Sequence, residues 1–490
     1  MNQKNQLNLK NVLISNNVTI LFIILCIVCF GVSEYTLPSL ATELFTRIGR
    51  NTFMVLSLLI PVVAGLGLNF GIVIGAVAAQ ISIFFVVHWG FTGFTGLLLC
   101  AVISTPLAIL FGYLVGRLFN SMKGTEMIGG LVAGYFSDGL YQLLFLFVLG
   151  GVIPIHNKKL MISTGVGVKN VINLEGNLKY ALDNVPMLNI LDVVFWGALV
   201  ISILLVIYRL VKKQELQLVK ILKVFGPIAI LYAISFIPVV TGFMSSTRLL
   251  LLYAVELGVA GTLIYNIIQI IKIKIIEKQA KPITRKLVYI VAAVLVYGAT
   301  YIPVIYDTLI AVHLPVLTYL CIGGLCLLIP WFMNTKLGQD MRTVGQSREV
   351  AISSGINVDK VRIIAMIIST VLASYGQLIS LQNIGTVATY GSHQQVGLYA
   401  IAALLVGGAS VHRANTKQAV LGVILFHTLF ILSPNAGKTL IGNAQIGEYF
   451  RVFVSYGVIA LALAMHAWKP SDKKKIKGEK KLADHDVIIK

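Results

Sequence analysis

Charged residues are scarce in this chain of 490 residues. Only 12% of its residues are Asp, Glu, Lys or Arg, whereas 57% are hydrophobic, and the mean hydropathy is +0.88. A soluble domain carries roughly 25% charged residues, about twice this share. The composition therefore excludes an ordinary soluble globular protein and indicates an integral membrane protein with many spans.

The chain also has few of the residue patterns with which enzymes hold metals or nucleotides. Its five cysteines all lie inside apolar runs, and its eight histidines form no cluster. The segment SPNAGKT at 433–439 resembles a phosphate-binding loop, but Leu432 stands where that motif needs its first glycine. No catalytic triad or metalloprotease motif is present. We therefore expect no catalytic residue, no metal site and no bound cofactor in this chain.

Long apolar runs fill most of the sequence, and a run of about 20 residues can cross a bilayer as a helix. The runs would allow about twelve to fourteen crossings, whereas the alternating ten-residue segments of a membrane barrel are missing. We therefore predict an all-α polytopic membrane protein. The runs lie at about 12–33, 53–88, 92–117, 127–152, 186–210, 221–241, 247–276, 286–306, 308–333, 359–384, 396–433 and 450–468.

The net charge of +20 is distributed in a way that predicts the orientation of the chain. Basic residues gather on the cytoplasmic side of membrane proteins. Four basic clusters, Arg209–Lys223, Lys272–Lys286, Lys336–Arg362 and Lys469–Lys481, are therefore assigned to the cytoplasm. The last belongs to a basic C-terminal tail at 469–490. The alternation of sides places the polar loop 153–185 outside.

Two apolar runs, Leu58–Gln80 and Ile401–Phe426, are each interrupted by glycines and a polar centre. Exposed backbone at membrane depth is tolerated where it is buried in protein or lines a cavity. Two such breaks in corresponding halves suggest an internal repeat around a transport path. The alternative is that the glycines only allow close helix packing. The residues predicted to line the path are Gly65, Gly67, Asn69, Gly71, Gly407 and Gly408.

Few charged residues lie in or near the apolar runs, and these are Asp138, Arg248, Glu256 and Asp307. Charge inside the hydrocarbon is costly and often functional. Each of the four lies close enough to a predicted helix end for its charged group to reach the interface. The sequence shows no chain of carboxylates and histidines, which argues against a proton-coupled transporter.

A polar segment, RTVGQSREVAISSGINVDKVR at 342–362, interrupts the apolar second half. Ser347 is a suitable N-cap, and Glu349 would lie in the first turn, where the helix dipole favours a carboxylate. Gly355 suits the left-handed position after a helix C-terminus. We predict a helix about 12 Å long, too short to span a bilayer. It would either dock a partner at the membrane surface or belong to a plain solvated loop.

The residues Glu349-Val350-Ala351 followed by Gly355 resemble the "EAA…G" loop of ATP-binding-cassette (ABC) importer permeases. The run LGQDMRTVGQSREVAISSGINVDKVRIIAMIISTVLASYGQL is similar to the superfamily of ribose, simple-sugar, nucleoside and branched-chain amino acid permeases. LYAIAALLVGGASVHRANTKQAVLGVIL and AGLGLNFGIVIGAVAAQ resemble two further segments of that superfamily. The resemblance covers about 50–150 and 310–468.

The resemblance implies an all-helical fold with about ten core transmembrane helices in two related halves, in a bacterial plasma membrane with the C-terminus in the cytoplasm. A second permease subunit, the same or different, would complete the path. A separate ATPase subunit would bind the ATP, and an extracytoplasmic solute-binding protein would deliver the cargo. The residues of this loop that couple it to the ATPase would be Arg348, Glu349, Ala351 and Gly355.

The chain is longer than usual for that superfamily, and 210–307 resembles an insertion of about three further helices. The predicted units are an N-terminal membrane helix and lead-in at 1–50, a first permease half at 51–209, and a second half at 308–468 with the coupling loop at 335–359. Lys4 and Lys10 before the first apolar run also fit a signal peptide, but the many later runs favour a membrane helix.

The cargo favoured by a path without fixed charge is a simple sugar such as ribose, or a nucleoside. A branched-chain amino acid importer is the alternative within the same class. An ion-coupled secondary transporter, which needs no ATPase, is an alternative from another class.

Overall fold

The computed structural model describes residues 17–122, 124–163, 165–212, 218–273 and 283–467. The basic tail predicted at 469–490 lies outside the described residues. Helices make up most of the described chain. The helices that precede the long polar loop are α1 Asn17–Val32, α2 Leu37–Ser57, α3 Leu59–Val63, α4 Ile72–Trp89, α5 Gly93–Ser121 and α6 Glu126–Leu143, which continues as a π-helical segment, Leu144–Val152.

The remaining helices alternate with four short strands. The next helices are α7 Met187–Val211, α8 Leu218–Ile234, α9 Pro238–Met244, α10 Leu251–Ile271, α11 Thr284–Ala299 and α12 Pro303–Ala311. The last are α13 Val316–Met333, α14 Lys336–Gln346, α15 Arg348–Ser353, α16 Val358–Ile384, α17 Ser392–Val406, α18 Thr416–Ile441 and α19 Ala444–Ala467. The strands are β1 Val171–Asn173, β2 Arg248–Leu250, β3 His313–Pro315 and β4 Thr386–Ala388.

Eight helices in the described ranges are long and apolar enough to cross a membrane, or up to ten when each of two bent helix pairs is taken as one span. The predicted all-α polytopic fold is confirmed. The number of crossings predicted from the apolar runs was higher, because some of these runs form helices that are short, such as Val18–Val32.

Helix α16 lies at the centre of the bundle, against α2, α4 and α5. Glycines let these helices approach closely, as small residues do in membrane bundles. A Cβ atom on Gly112 would lie 2.7 Å from Cα of Ile367, and one on Gly376 would lie 2.9 Å from the backbone of Met54. The packing of the core therefore depends on backbone-to-backbone contacts that any larger residue would break.

Both predicted interruptions are present. The first lies between α3 and α4, at 64–71, and the second between α17 and α18, at 407–415. Along α16, Ser369 contacts both the carbonyl of Ser57 before the first break and the side chain of Asn69 within it. We name these segments the first and second turns.

The long loop 153–185 pairs with the second half of the chain. Its strand β1 runs antiparallel to β4, with Val171 opposite Ala388 and Asn173 opposite Thr386. The N–H of Gly93 also donates to the carbonyl of Asn177. This face, opposite to the polar segment 342–362, is therefore closed by a small two-stranded sheet.

The segment predicted as an insertion forms one long helix, α10, and two bent pairs. The axes of Phe225–Ile234 and Pro238–Met244 differ by 103°, and those of α11 and α12 by 87°. Strand β2, inside this segment, pairs antiparallel with β3, which follows the segment, with Arg248 opposite Pro315. Helix α12 packs on α2. The role of 210–307 as an insertion stays a prediction.

Candidate functional site

The short helix α15 forms as its sequence predicts. The Oγ of Ser347 accepts a hydrogen bond from the N–H of Val350 at 3.3 Å, so Ser347 is the N-cap. Gly355 has a φ of +75°, the left-handed conformation that ends a helix. Glu349 lies in the first turn. The predicted start, end and charge placement of this helix are confirmed.

One face of α15 is buried and the other is exposed. Ala351 is fully buried against the bundle, whereas Glu349 and Gly355 are exposed. Val350 and Ile352 expose 54% and 66% of their surface next to Glu349. Exposed apolar side chains beside charged ones are typical of a surface that binds another protein. The sequence pattern did not single out Val350 or Ile352.

The segment before α15 touches the first turn through two glycines. A Cβ atom on Gly345 would lie 2.1 Å from the carbonyl oxygen of Val63, and one on Gly65 would lie 2.7 Å from Cα of Gly345. Gly65 also has a φ of +72°, which other residues rarely adopt. The loop is therefore held against the first turn at backbone distance, with no side chain between them.

Glu126, at the start of α6, lies between two arginines. Its Oε1 accepts a hydrogen bond from Nη2 of Arg362, whose side chain is only 1% exposed. The Nη2 of Arg348 lies 3.7 Å from the same oxygen. One carboxylate therefore connects the first residue of α15 to the central helix α16. Sequence reasoning identified Arg348 but missed Glu126 and Arg362, because Glu126 lies 236 positions from Arg362.

A cavity of about 410 Å³, which we name the loop cavity, opens among these elements. Both turns reach it, the first through Gly65 and Gly67 and the second through Val411 and His412. The polar segment therefore lies beside both interruptions of the chain. The loop cavity is lined by Ala64, Gly65, Leu66, Gly67, Gly124, Thr125, Glu126, Met127, Ile128, Val344, Gly345, Gln346, Ser347, Arg348, Arg362, Val411 and His412.

A second cavity of about 550 Å³, which we name the groove, adjoins the first. The two share Met127 and Ile128 in their linings. Among the described residues that line it, the polar side chains are those of two tyrosines and one glutamine, and none is charged. The groove is lined by Phe70, Val73, Met127, Ile128, Leu131, Gly134, Tyr135, Gln394, Leu398, Tyr456, Ile459 and Ala460.

The residues predicted for the path in the first turn separate into two sets. Gly65 and Gly67 line the loop cavity. Asn69 is fully buried behind it and donates to Oγ of Ser369 at 3.3 Å. A Cβ atom on Gly71 would lie 3.1 Å from Oδ1 of Asn69. Asn69 and Gly71 therefore pack inside the bundle in this conformation.

The two glycines predicted for the path in the second turn lie at the contact between α17 and α18. A Cβ atom on Gly407 would lie 1.9 Å from the carbonyl oxygen of Gln418. The carbonyl of Gly408 accepts a hydrogen bond from Nε2 of Gln418 at 2.7 Å. Neither residue is among those lining the loop cavity or the groove, so close helix packing describes both in this conformation.

Asp138 differs from what its sequence position predicts. We expected its charge to reach the interface, but only 8% of Asp138 is exposed. Its Oδ1 lies 2.7 Å from Nε2 of the fully buried His393, and its Oδ2 accepts from Gln142. The expectation was wrong because the fold supplies a buried partner, which sequence separation concealed.

Comparison with known proteins gives a family and a set of partial relatives. A family model described as the permease component of branched-chain amino acid transport systems matches residues 197–463. The galactose/methyl galactoside import permease of Haemophilus influenzae is 30% identical over 161 residues, which are 32% of this chain and 46% of that protein.

Two further curated proteins match a similar share of the chain. The ribose import permease of Escherichia coli K12 is 31% identical over 145 residues, 29% of this chain and 43% of that protein. The xylose transport system permease of Haemophilus influenzae is 29% identical over 188 residues, 38% and 46% of the two chains. The matched part of the chain thus spans less than half the length of these relatives. No solved structure matches the chain.

Proposed function

Because the chain belongs to the permease family of branched-chain amino acid transport systems, we propose that it is the membrane-spanning subunit of an ATP-driven importer. A separate ATPase subunit binds and hydrolyses the ATP. The chain itself provides the path, in a bacterial plasma membrane, with its polar segment and C-terminus in the cytoplasm.

The observation that carries this proposal is the geometry of α15. The helix is capped by Ser347, anchored by the buried Ala351, and presents Val350 and Ile352 to solvent. A capped helix that exposes apolar side chains on both flanks of its buried residue suits docking of a partner subunit. In this role Arg348, Glu349, Ala351 and Gly355 are the coupling residues.

The contacts of α15 provide a route by which a displacement of this helix would move residues that line the proposed path. Gly345 touches the first turn at backbone distance, and Arg348 faces Glu126 at the start of α6. A movement of α15 imposed by the ATPase would therefore shift the lining of the loop cavity, because packed interfaces change between discrete arrangements. The groove and the loop cavity together form the proposed path.

The cargo that this path suits is a neutral polar solute of the simple-sugar class or a nucleoside. Tyr135, Gln394 and Tyr456 offer hydroxyl and amide groups in an otherwise apolar groove, without a fixed charge. The names of the curated relatives include galactose, ribose and xylose transport. A branched-chain amino acid carries two charges, which a groove without charged residues would bind poorly.

The proposed assembly contains further proteins. A second permease subunit, identical or related, would close the exposed side of the groove. An extracytoplasmic binding protein would deliver the solute to the face that carries β1 and β4. The lipid bilayer surrounds the many exposed apolar side chains, and no nucleic acid is involved.

The test compares two charge reversals on the same face of the protein. Glu349→Lys alters the proposed docking face, whereas Asp359→Lys alters an exposed carboxylate at the start of α16 that lies outside α15. We expect Glu349→Lys to lower ATP-driven uptake and co-purification of the ATPase, while the amount of the variant in the membrane stays unchanged. Gly355→Pro should act in the same direction, because it distorts the end of α15.

Asp359→Lys should leave uptake and co-purification close to those of the unchanged protein. Full ATP-driven uptake in both Glu349→Lys and Gly355→Pro would contradict the assignment of α15 as the coupling helix.

One observation favours a second candidate, an ion-coupled secondary transporter. Asp138 and His393 form a buried titratable pair within the bundle, and such residues often belong to proton pathways. This candidate requires uptake by vesicles that contain the chain alone and carry an ion gradient. Uptake that needs ATP and the ATPase would exclude it.

A further inference from the structure

The loop cavity contains buried cationic donors that no group among the described residues hydrogen-bonds. Nη1 of Arg362 and Nη2 of Arg348 are both buried, and neither makes a hydrogen bond to an acceptor. An unsatisfied buried donor costs about 1–3 kcal/mol, and more when it is charged. Such groups are normally satisfied by another protein atom, by water or by a ligand.

The charges around the cavity do not balance. Arg348 and Arg362 share a single carboxylate, that of Glu126, and both face the same oxygen, Oε1. Among the described residues that line the cavity, the one other ionisable residue is His412. With His412 neutral, the described lining residues therefore carry an excess of one positive charge. Because a buried charge needs a counter-charge, the excess favours an anion.

The cavity has the size and the opening of a small-molecule site. Its volume of about 410 Å³ falls in the range of about 300–1,000 Å³ that is usual for ligand pockets. Gly124, Thr125 and Gln346 are exposed at its rim, so the opening is polar. Arg348 and Arg362 both line the cavity, with the side chain of Arg362 fully buried and that of Arg348 partly exposed. Arginine is the side chain whose planar donors best match the oxygens of a phosphate.

We propose that the loop cavity binds a small phosphate-bearing anion between Arg348 and Arg362. The ligand is either inorganic phosphate or the phosphate group of a small phosphorylated solute. It would bridge the first residue of α15 and the central helix α16, which Glu126 now connects. A regulatory effect of this ligand on uptake, from the cytoplasmic side, rests on the proposed function, but the binding itself does not.

The experiment measures thermal unfolding of the purified full-length chain in detergent, without any ATPase. Inorganic phosphate and glucose 6-phosphate are each titrated against chloride at equal ionic strength. A ligand that binds the folded state raises the unfolding midpoint as its concentration exceeds the dissociation constant. We expect a rise of a few degrees with at least one of the two probes and none with chloride.

Three variants test whether any rise in the unfolding midpoint comes from binding in the loop cavity. Arg362→Gln should weaken binding at least about tenfold, because it removes one charged donor. Glu126→Gln should strengthen binding, because it releases both guanidinium groups from their carboxylate. Arg117→Gln is the matched control, since Arg117 is exposed outside the cavity, and it should bind as the unchanged protein does.

The opposite signs expected for Arg362→Gln and Glu126→Gln separate binding from a purely structural role, in which both would only destabilise the protein. If Arg362→Gln does not fold, Arg348→Gln replaces it with the same expected loss. A higher unfolding midpoint with inorganic phosphate would identify free phosphate as a ligand. A higher midpoint with glucose 6-phosphate alone would identify a phosphorylated solute as the ligand. No rise with either probe, or an equal rise in the arginine variants, would overturn the proposal.

Because no ATPase is present, failure of this binding test leaves the importer assignment untouched. Conversely, loss of the importer assignment in uptake experiments leaves the binding test unchanged.

Discussion

Oδ1 of Asp138 on α6 lies 2.7 Å from Nε2 of His393 at the start of α17, and both side chains are buried. The contact joins elements 255 positions apart, one from each half of the chain. The ring of Tyr141 packs edge-on to the imidazole, with ring centroids 5.0 Å apart. The pair therefore connects the two halves through a polar contact inside an apolar bundle.

Breaking this pair should destabilise the protein more than removing it entirely. Asp138→Leu or His393→Leu alone leaves a buried polar partner and should cost about 3–5 kcal/mol of stability. The double variant should recover much of the lost stability, because no buried polar side chain is left without its partner. Thermal unfolding in detergent measures both, and Asp307→Leu, at an exposed position, serves as the single-site control. Additive losses in the double variant would show that the two residues do not interact.

Gly345→Ala should separate the loop from the first turn. The added Cβ would lie 2.1 Å from the carbonyl oxygen of Val63, so the backbone must shift. Overpacking of this kind costs about 1–3 kcal/mol. We expect a lower unfolding midpoint and reduced ATP-driven uptake. Gly323→Ala is the control, since nothing lies within 4 Å of its added Cβ, and it should change neither quantity appreciably.

Gly407→Ala distinguishes packing from path lining in the second turn. The structure places its Cβ 1.9 Å from the carbonyl oxygen of Gln418, so we expect a loss of stability as α17 and α18 move apart. Gly258→Ala, with open space around its Cβ, should be close to neutral. An unchanged unfolding midpoint together with lost uptake would instead favour a role of Gly407 in the path.

Ser347→Ala should loosen α15 without touching any docking side chain. The N-cap hydrogen bond from Val350 N–H would be lost, at a cost of about 1 kcal/mol. Ser347→Asp should keep the cap, because aspartate is an equally good N-cap residue. ATP-driven uptake should therefore fall in the alanine variant and remain in the aspartate variant. Equal uptake in the two variants would show that the cap is not needed for coupling.

Local features of the chain were predicted well from the sequence. The cap at Ser347 and the left-handed Gly355 follow from rules that act within a few residues, and the structure confirms both. The all-helical membrane fold follows from the length and composition of the apolar runs. The resemblance seen in the polar segment and the C-terminal half is confirmed by the family match over 197–463.

Contacts between distant segments were not predictable. The sequence around Glu126 does not indicate its contact with Arg362, and the sequence around Asp138 does not indicate its contact with His393. Helix packing alone brings each pair together. The glycines of the two turns look alike in sequence. Gly65 and Gly67 nevertheless line a cavity, whereas Gly407 fills a helix contact. Only the neighbours of each glycine decide between these roles, and a single sequence does not show neighbours.

The most direct measurement is gentle purification of the chain from its own membranes, with identification of every protein that accompanies it. We expect an ATPase subunit with nucleotide-binding motifs, retained by the unchanged chain and lost from Glu349→Lys, together with an extracytoplasmic binding protein. A chain that purifies alone and still moves solute in vesicles on an ion gradient would contradict it.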